Sequence, residues 1–468
     1  MLVTDASKRV ERFGVSTTSP HYINHNLMRS ASLEFLKTLV NTPSPVSYET
    51  RGQRVWLDYV SQYADETSSD AYGNCVAVLN KGGGPRIMLA GHADEIALSV
   101  NYVDDNGFIY VKRMGGVDAI VSKAQRVTIH SAKGAVKGVV GHPPPHMIKV
   151  DGSPKVPKIH ELFIDIGAKD RKAAKKRVRI GDPITVNQNF EVLHGDLVVA
   201  RAFDNRIGTF AVAEALRLLS ESKKKLNVEI CAVSNTQEEV GLFGARQIAY
   251  SLDPSVALVV DVTHATDYPS ISKSTHGDVK MGAGPTVSHG TCNHPEVVKR
   301  IEAVAKKARI PLQHETVSAT SGTDTDVIFW TRGGIASALI SLPNRYMHSP
   351  IEVVNLKDLE QIPKLMAGFA ESSYLSFLFV RQGSGDYPID TDRLRNGSRR
   401  PFVIACEQRD AEPQGAQSHN CFCTGIADPV FHNQNRFRCP VPSDHHYGAA
   451  RIKRLVLGNN EVLWQVVE

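Results

Sequence analysis

Asn227-Val228-Glu229-Ile230-Cys231-Ala232-Val233-Ser234-Asn235-Thr236-Gln237-Glu238-Glu239-Val240-Gly241 carries an apolar stretch, Asn227–Ser234, into two adjacent glutamates. The stretch reads as a buried strand. Neighbouring carboxylates in an apolar setting repel each other and are costly unless something positive binds them. Val233, Val240, Leu242 and Phe243 around the pair argue against a solvated acidic turn. Two cations resolve the conflict: one carboxylate ligates, and its neighbour stays free to take a proton from an activated water.

The same pattern recurs outward from this stretch. Arg86–Ala90 leads into Gly91-His92-Ala93-Asp94-Glu95, and Leu197–Ala200 into Arg201-Ala202-Phe203-Asp204-Asn205-Arg206. Val256–Val260 ends on Asp261, and Ile335–Leu342 leads to Arg345-Tyr346-Met347-His348-Ser349. In open α/β sheets, sites gather at the carboxyl ends of strands, and five successive strand ends here present His, Asp or Glu. His92 and Asp94, two apart, point to one side of an extended segment, the arrangement of an imidazole ligand gripped by a carboxylate. Each residue alone has a plainer reading: a capped loop for His92 and Asp94, a helix N-cap for Asp204, a structural histidine for His348. Asp267 and His264 read as loop residues or supports. The set is what points to metal.

Apolar strands alternating with helices give an α/β fold, a three-layer sandwich around a mostly parallel sheet. Predicted helices carry Leu33, Leu36 and Val40; Val55, Trp56, Tyr59, Val60 and Tyr63; Ile207–Leu219; Val297, Ile301, Val304 and Ala308; and Asn355–Leu378, with Asn355 as N-cap. Between residues 104 and 196 the rhythm changes to short strands punctuated by Gly, Pro and Asp, among them Phe108–Lys112, Arg126–His130, Val136–Val140, Leu162–Ile166 and Pro183–Asn187. This is an inserted, barrel-like β domain. The organisation expected is an irregular extension over 1–26, a catalytic domain from 27–103 and 197–380, the insertion at 104–196, and a linker and tail over 381–468.

The 468 residues are 42% apolar and 22% charged, with a net charge of +5. That charge favours neither nucleic acid nor a membrane surface as partner, and the basic run Asp170–Arg177 reads as a solvated face. No stretch approaches the ~18 apolar residues of a membrane span, and Met1–Gly14 lacks the apolar core of a signal peptide. Seven cysteines, three of them before residue 400, make no disulfide framework. A cytoplasmic protein with reduced thiols is the simplest account.

The quoted motifs resemble the TET-type (glutamyl and deblocking) aminopeptidases, family forty-two of the metallopeptidases. The likeness rests on Gly91–Ile96, Ala202–Arg206, Gln237–Gly241, Asp261-Val262-Thr263-His264-Ala265, Arg345–Pro350 and, in the insertion, Glu161–Ala168, and spans Met28 to Val380. Ala93 and Ala97 stand where the family often has Met and Gly. The resemblance implies two divalent metal ions, zinc or cobalt: His92 and Glu239 on one, Asp261 and His348 on the other, and Asp204 bridging. Glu238 would be general base and then acid, with Asp94 orienting His92. It also implies short peptides as substrates, cleaved at the N-terminal bond, and an insertion that assembles a homo-oligomer, in the family often a tetrahedral dodecamer. Thr320–Asp326, with Thr323 and Asp324, is similar to a substrate-lining segment, although helix capping explains it equally well.

Rival readings are a dinuclear-metal deacylase or carboxypeptidase, a polysaccharide hydrolase (endoglucanase) and a catalytically silent assembly protein. Paired carboxylates across a sugar cleft would mark a glycosidase, whereas here metal explains the carboxylates better. In the tail, Cys421, Cys423, Cys439, His445 and His446 fit no common zinc template, and Asp444-His445-His446 lacks the partners of a phosphoesterase. The tail reads as an extension without catalytic role.

Overall fold

The computed structural model describes residues 28–144, 147 and 156–372, and the backbone of three strands near the C-terminus. The expected extension over 1–26, the linker, the tail cysteine and histidine side chains, and the last part of the expected helix beyond 372 lie outside the described residues.

The core is an 11-stranded mixed sheet. Its centre is parallel: Glu229–Asn235, Arg86–His92, Val256–His264 and Ala336–Arg345 lie side by side in that order. Cys75–Leu79 adds antiparallel on one flank; Glu352–Asn355, Leu197–Ala200 and Glu191–His194 add antiparallel on the other. The sheet is therefore less parallel than the apolar runs imply. Antiparallel strands at the flanks are just as apolar where both of their faces are covered.

Successive residues of the central strands serve opposite faces. Ile87, Leu89, Ile230, Ala232, Leu258 and Val260 pack with the helices Ser30–Asn41, Thr50–Val60, Phe203–Ser220, Pro295–Ala308 and Leu356–Glu371. Met88, Ala90, Cys231, Val233, Ala257 and Val259 pack with Phe243–Leu252 and Thr325–Ile328 on the other face. The helix ends follow local chemistry: Pro295 sits at the start of its helix, and the Asn355 carboxamide oxygen accepts from the Lys357 N–H. The helix Phe203–Ser220 lies close to Arg86–His92 because both surfaces lack a side chain at the contact. A Cβ on Gly91 would stand 2.6 Å from the Gly208 carbonyl carbon and 2.9 Å from the Thr209 nitrogen.

Between His92 and Leu197 the chain closes a six-stranded barrel in the order Ala97–Val103, Ile109–Met114, Phe163–Asp165, Gly134–Gly141, Arg126–Ser131, Pro183–Val186. It has its own apolar centre of Leu98, Val100, Val111, Val127, Ile129, Ile164 and Ile184. The barrel starts earlier and stops sooner than the expected 104–196. Ala97–Val103 belongs to it, its pairing shifted by a bulge between Val100 and Tyr102, whereas Glu191–His194 belongs to the main sheet. The basic run forms the helix Arg171–Arg177, capped by Asp170 and buried only at Ala174.

Residues 382–468 form a separate unit whose described part is a three-stranded antiparallel sheet of Phe422–Cys423, Arg451–Leu457 and Glu461–Val467. Among the described residues no helix is long and apolar enough to cross a membrane.

Gly91→Ala should push the helix off the strand, because both clashing atoms are backbone. Such overpacking costs about 1–3 kcal/mol. Urea unfolding should show a lower midpoint at unchanged slope, and an unchanged midpoint would contradict the close approach.

Candidate active site

The ladder of the parallel strands aligns the reactive ends. Asn235 pairs with His92, and Val259 pairs with Ala90, so Asp261 and His92, each two residues further on, finish at one level. Asp204 arrives from the start of the helix Phe203–Ser220, where it and Asn205 depart from helical dihedrals. Ala202, Gln237 and His348 occupy left-handed backbone conformations with φ of 60°, 57° and 61°. Non-glycine residues there are strained, and such strain collects where a loop must aim a side chain. Asp204 is not the helix cap: the N-cap position falls at Ala202, and the aspartate points into the cluster.

His92, Asp94, Asp204, Glu238, Glu239 and Asp261 are buried together, with His348 at the rim. Asp204 is the hub. Its Oδ1 lies 3.2 Å from His92 Nε2, and its Oδ2 lies 3.2 Å from His348 Nε2. His92 Nε2 is 3.9 Å from Asp261 Oδ1, and His348 Nε2 is 3.4 Å from Glu239 Oε2. Two groups of donors share Asp204, His92 with Asp261 and Glu239 with His348, and a third brings His92 together with Glu238 and Glu239. The first two groups differ from the expected pairing of His92 with Glu239 and of Asp261 with His348, while the third keeps His92 beside Glu239. His92 and Asp261 end neighbouring strands at one level, while Glu239 and His348 sit on the segments after the two strands that flank this pair.

Glu238 stands beside these groups, its Oε2 3.7 Å from His92 Nε2. Asp94 fixes it from behind: Oδ1 accepts the Glu238 N–H at 3.0 Å and Oδ2 the Glu239 N–H at 3.1 Å, while Oδ1 lies 3.3 Å from His92 Nδ1. One carboxylate therefore sets both glutamates and backs the imidazole. Asp267 braces the approach to His348 by taking two hydrogen bonds from Arg345, both 2.8 Å. Thr323 and Asp324 follow the turn that leads into the short helix Thr325–Ile328. Both are buried, and Asp324 Oδ2 accepts from Asn235 Nδ2 at 2.7 Å. Asp324 thereby sits near the cluster, while the Thr323 hydroxyl contacts Ser321 and Thr325.

Two supporting groups have no signature in the sequence. Glu352, 2% exposed, accepts the Asp204 N–H through Oε2 and the His348 N–H through Oε1, each at 3.0 Å. It holds the hub and the rim histidine by their backbones. Glu95 is clasped by Arg201 and Arg206 and accepts the Ser44 N–H. The only clue is position: Glu95 ends the His92 motif and Glu352 begins the strand after His348.

Burial raises the Glu238, Glu239 and Asp261 carboxyls well above the usual carboxylate range, and neighbouring acids push them further. Burial also favours the protonated form of Asp204, but the His348 and His92 imidazoles reverse this and hold it below that range. His92 is depressed by burial yet raised well above its usual value by Glu238, Asp204 and Asp94. So much negative charge, with the buried Glu239 Oε1 lacking a hydrogen-bond partner, calls for positive charge. Imidazole and carboxylate donors suit borderline divalent metals, and the residues fit such ions.

Residues 73–365 match the model of the M42 glutamyl aminopeptidase family. A lysyl aminopeptidase of Pyrococcus furiosus is 34% identical over 342 residues, covering 72% of this chain and 96% of that protein. The structure of a TET aminopeptidase from Thaumarchaeota archaeon SCGC AB-539-E09 superposes with a TM-score of 0.71 at 32% identity, covering 74% of this chain and 98% of that one. A Pyrococcus horikoshii TET1 peptidase, described as assembling into a tetrahedron or a large octahedral shell, superposes with a TM-score of 0.65 at 29% identity over 72% and 99% of the two chains.

Two outcomes are expected. Cations must expel the protons held by the raised carboxyls, so titrating zinc into chelator-treated protein should release protons, and binding should weaken as pH falls. A carboxyl raised in the folded state favours folding at low pH and loses that contribution as pH rises through its folded value, so the metal-free protein should lose stability from about pH 4 upward. Calorimetry in buffers of different ionisation enthalpy that finds no proton release would contradict this. Second, Glu352→Ala should weaken metal binding by about 10- to 100-fold, the usual effect of losing a ligand's support, with circular dichroism unchanged. Unaltered affinity would remove Glu352 from that role.

Proposed function

The chain belongs to the M42 glutamyl aminopeptidase family and is a metal-dependent aminopeptidase, and from that premise we propose how its own residues carry out the reaction and which peptides it takes. His92 and Asp261 would hold one ion and Glu239 and His348 the other, with Asp204 available to both. Zinc or cobalt suits this set. Two such ions supply Lewis acidity, acidifying a water and polarising the scissile carbonyl.

The remaining roles belong to side chains. Glu238 accepts the proton of the attacking water and returns it to the departing amine. Its raised affinity for protons, caused by burial, suits both halves of that task. Asp94 keeps Glu238 and Glu239 in register and His92 in orientation. The free, neutral α-amine of a peptide can serve as a further ligand at such a site, which would favour cleavage at the N-terminal bond. The single observation that carries this reading is the convergence of the donors on Asp204 with Glu238 beside them.

The cleft that opens on Asp204, Glu239 and His348 is lined beyond them by Ile96, Leu98, Val117, Val121, Ile184 and Val186. Its charged side chains are already engaged: Arg201 with Glu95, and Glu352 with two backbone N–H groups. We assign it to the first side chain of the peptide, which makes that side chain apolar. Helices on both faces of the sheet support a three-layer sandwich. Exposed Tyr102, Ile120, Val139 and Ile180 on the inserted segment support its use in assembling a homo-oligomer, as in the Pyrococcus horikoshii relative. Free, buried Cys75, Cys231 and Cys292 suit the reducing cytoplasm.

Leucyl-p-nitroanilide should be cleaved faster than the glutamyl and lysyl compounds, with activity abolished by chelator and absent on N-acetylated amino acids and soluble cellulose. Preference for a charged residue would overturn the cleft assignment, and activity on acetylated substrates would favour a deacylase. Glu238→Gln should retain metal and lose turnover by about 10²- to 10⁴-fold; undiminished turnover would exclude it as the base.

A further inference from the structure

Away from the catalytic cluster, the strands Thr286–His289 and Gln313–Thr316 extend the sheet beside Ala336–Arg345. Val287 pairs antiparallel with Ile340, so the chain from Val287 to His289 runs away from the strand ends that carry the active site. Val287 pairs with His314 and His289 with Thr316 in a parallel ladder, which puts both histidines on one face. That face is covered by the helix Pro295–Ala308, whose Val297, Val298 and Ile301 pack in the same core as Val287. Glu302, one turn beyond Val298, overhangs the histidines.

The three side chains converge. His289 Nε2 and His314 Nδ1 are 2.9 Å apart, and Glu302 Oε1 lies 4.0 Å from the first and 3.8 Å from the second. A surface cleft of about 170 Å³ opens beside them, lined by His289, Asn293, Val298, Lys299 and Glu302. Tetrahedral zinc, with bonds of about 2.0–2.1 Å to nitrogen and oxygen, sets its ligand atoms about 3.3 Å apart. The two nitrogens need to open by only a few tenths of an ångström, and a half-exposed glutamate has the freedom to close the rest. Lys299 shares the cleft, but its ammonium lies 3.8 Å from Glu296.

We propose that His289, His314 and Glu302 form a second metal site, distinct from the catalytic one, for a borderline divalent transition ion, zinc foremost. Two imidazoles and one carboxylate exclude calcium and magnesium, which require oxygen donors. The fourth position faces solvent and takes water. The ion would tie the edge strands to the helix across the outer part of the sheet.

The test compares zinc content and stability in full-length chains whose catalytic residues are all intact. After zinc loading and gel filtration, wild type should hold one more zinc per chain than His314→Ala or His289→Gln, measured by elemental analysis. Added zinc should raise the melting temperature of wild type more than that of either variant, and Glu302→Gln should bind this ion at least tenfold more weakly. Peptidase activity should be the same in all four proteins, which also reports that the variants are folded. Equal zinc content in wild type and both histidine variants would overturn the proposal. Because the readout is a difference between proteins with intact catalytic clusters, that result would leave the aminopeptidase reading standing.

Discussion

Negative charge held out of water is the constraint on which the rest of this structure depends. The side chains of Asp94, Asp204, Glu238, Glu239, Asp261, Asp324 and Glu352 are all buried around two imidazoles. Taking one carboxylate out of water costs several kcal/mol even after relaxation, so this assembly cannot stay ionised on its own. Where a protein cation serves, the sequence supplies one: Arg201 and Arg206 neutralise Glu95 beside the cluster. Inside the cluster the described residues supply only His92 and His348. The balance is left to come from outside the chain, and the fold is arranged to keep it so.

The sheet enforces the arrangement. Central strands anchored on both faces leave no freedom to slide, because a one-residue shift would turn every apolar side chain to the wrong core. His92 and Asp261 inherit their level from that register. The loop-borne members lack such a ladder and are held by backbone clasps instead. Asp94 grips the N–H groups of Glu238 and Glu239, and Glu352 grips those of Asp204 and His348. Two buried acids thereby position four groups through their backbone N–H groups.

Much of this was legible in the sequence, for a physical reason. A carboxylate or histidine at the end of an apolar run stands out because burial would otherwise forbid it, and this drew attention to His92, Asp204, Glu238, Glu239, Asp261 and His348. Helix starts at Pro295 and Asn355 were equally plain, being local chemistry. What escaped was whatever depends on distant neighbours. Glu352 looks like an ordinary acid before Val353, and its importance comes from where Asp204 and His348 arrive. Ala97–Val103 was assigned to the wrong body because alternation marks a strand without naming its sheet, and Thr323 and Asp324 face inward for reasons that only packing supplies.

The barrel leaves the main sheet a few residues after His92 and returns two strands before Asp204, yet its inner residues Leu98, Val127 and Ile184 help to wall the cleft beside Glu239 and His348. The part of the molecule that shapes the cleft is thereby separate from the part that aims the acids. Variation inside the barrel can resculpt that wall while the register of the main sheet stays untouched. A lineage built this way is free to drift in diet without risking its chemistry.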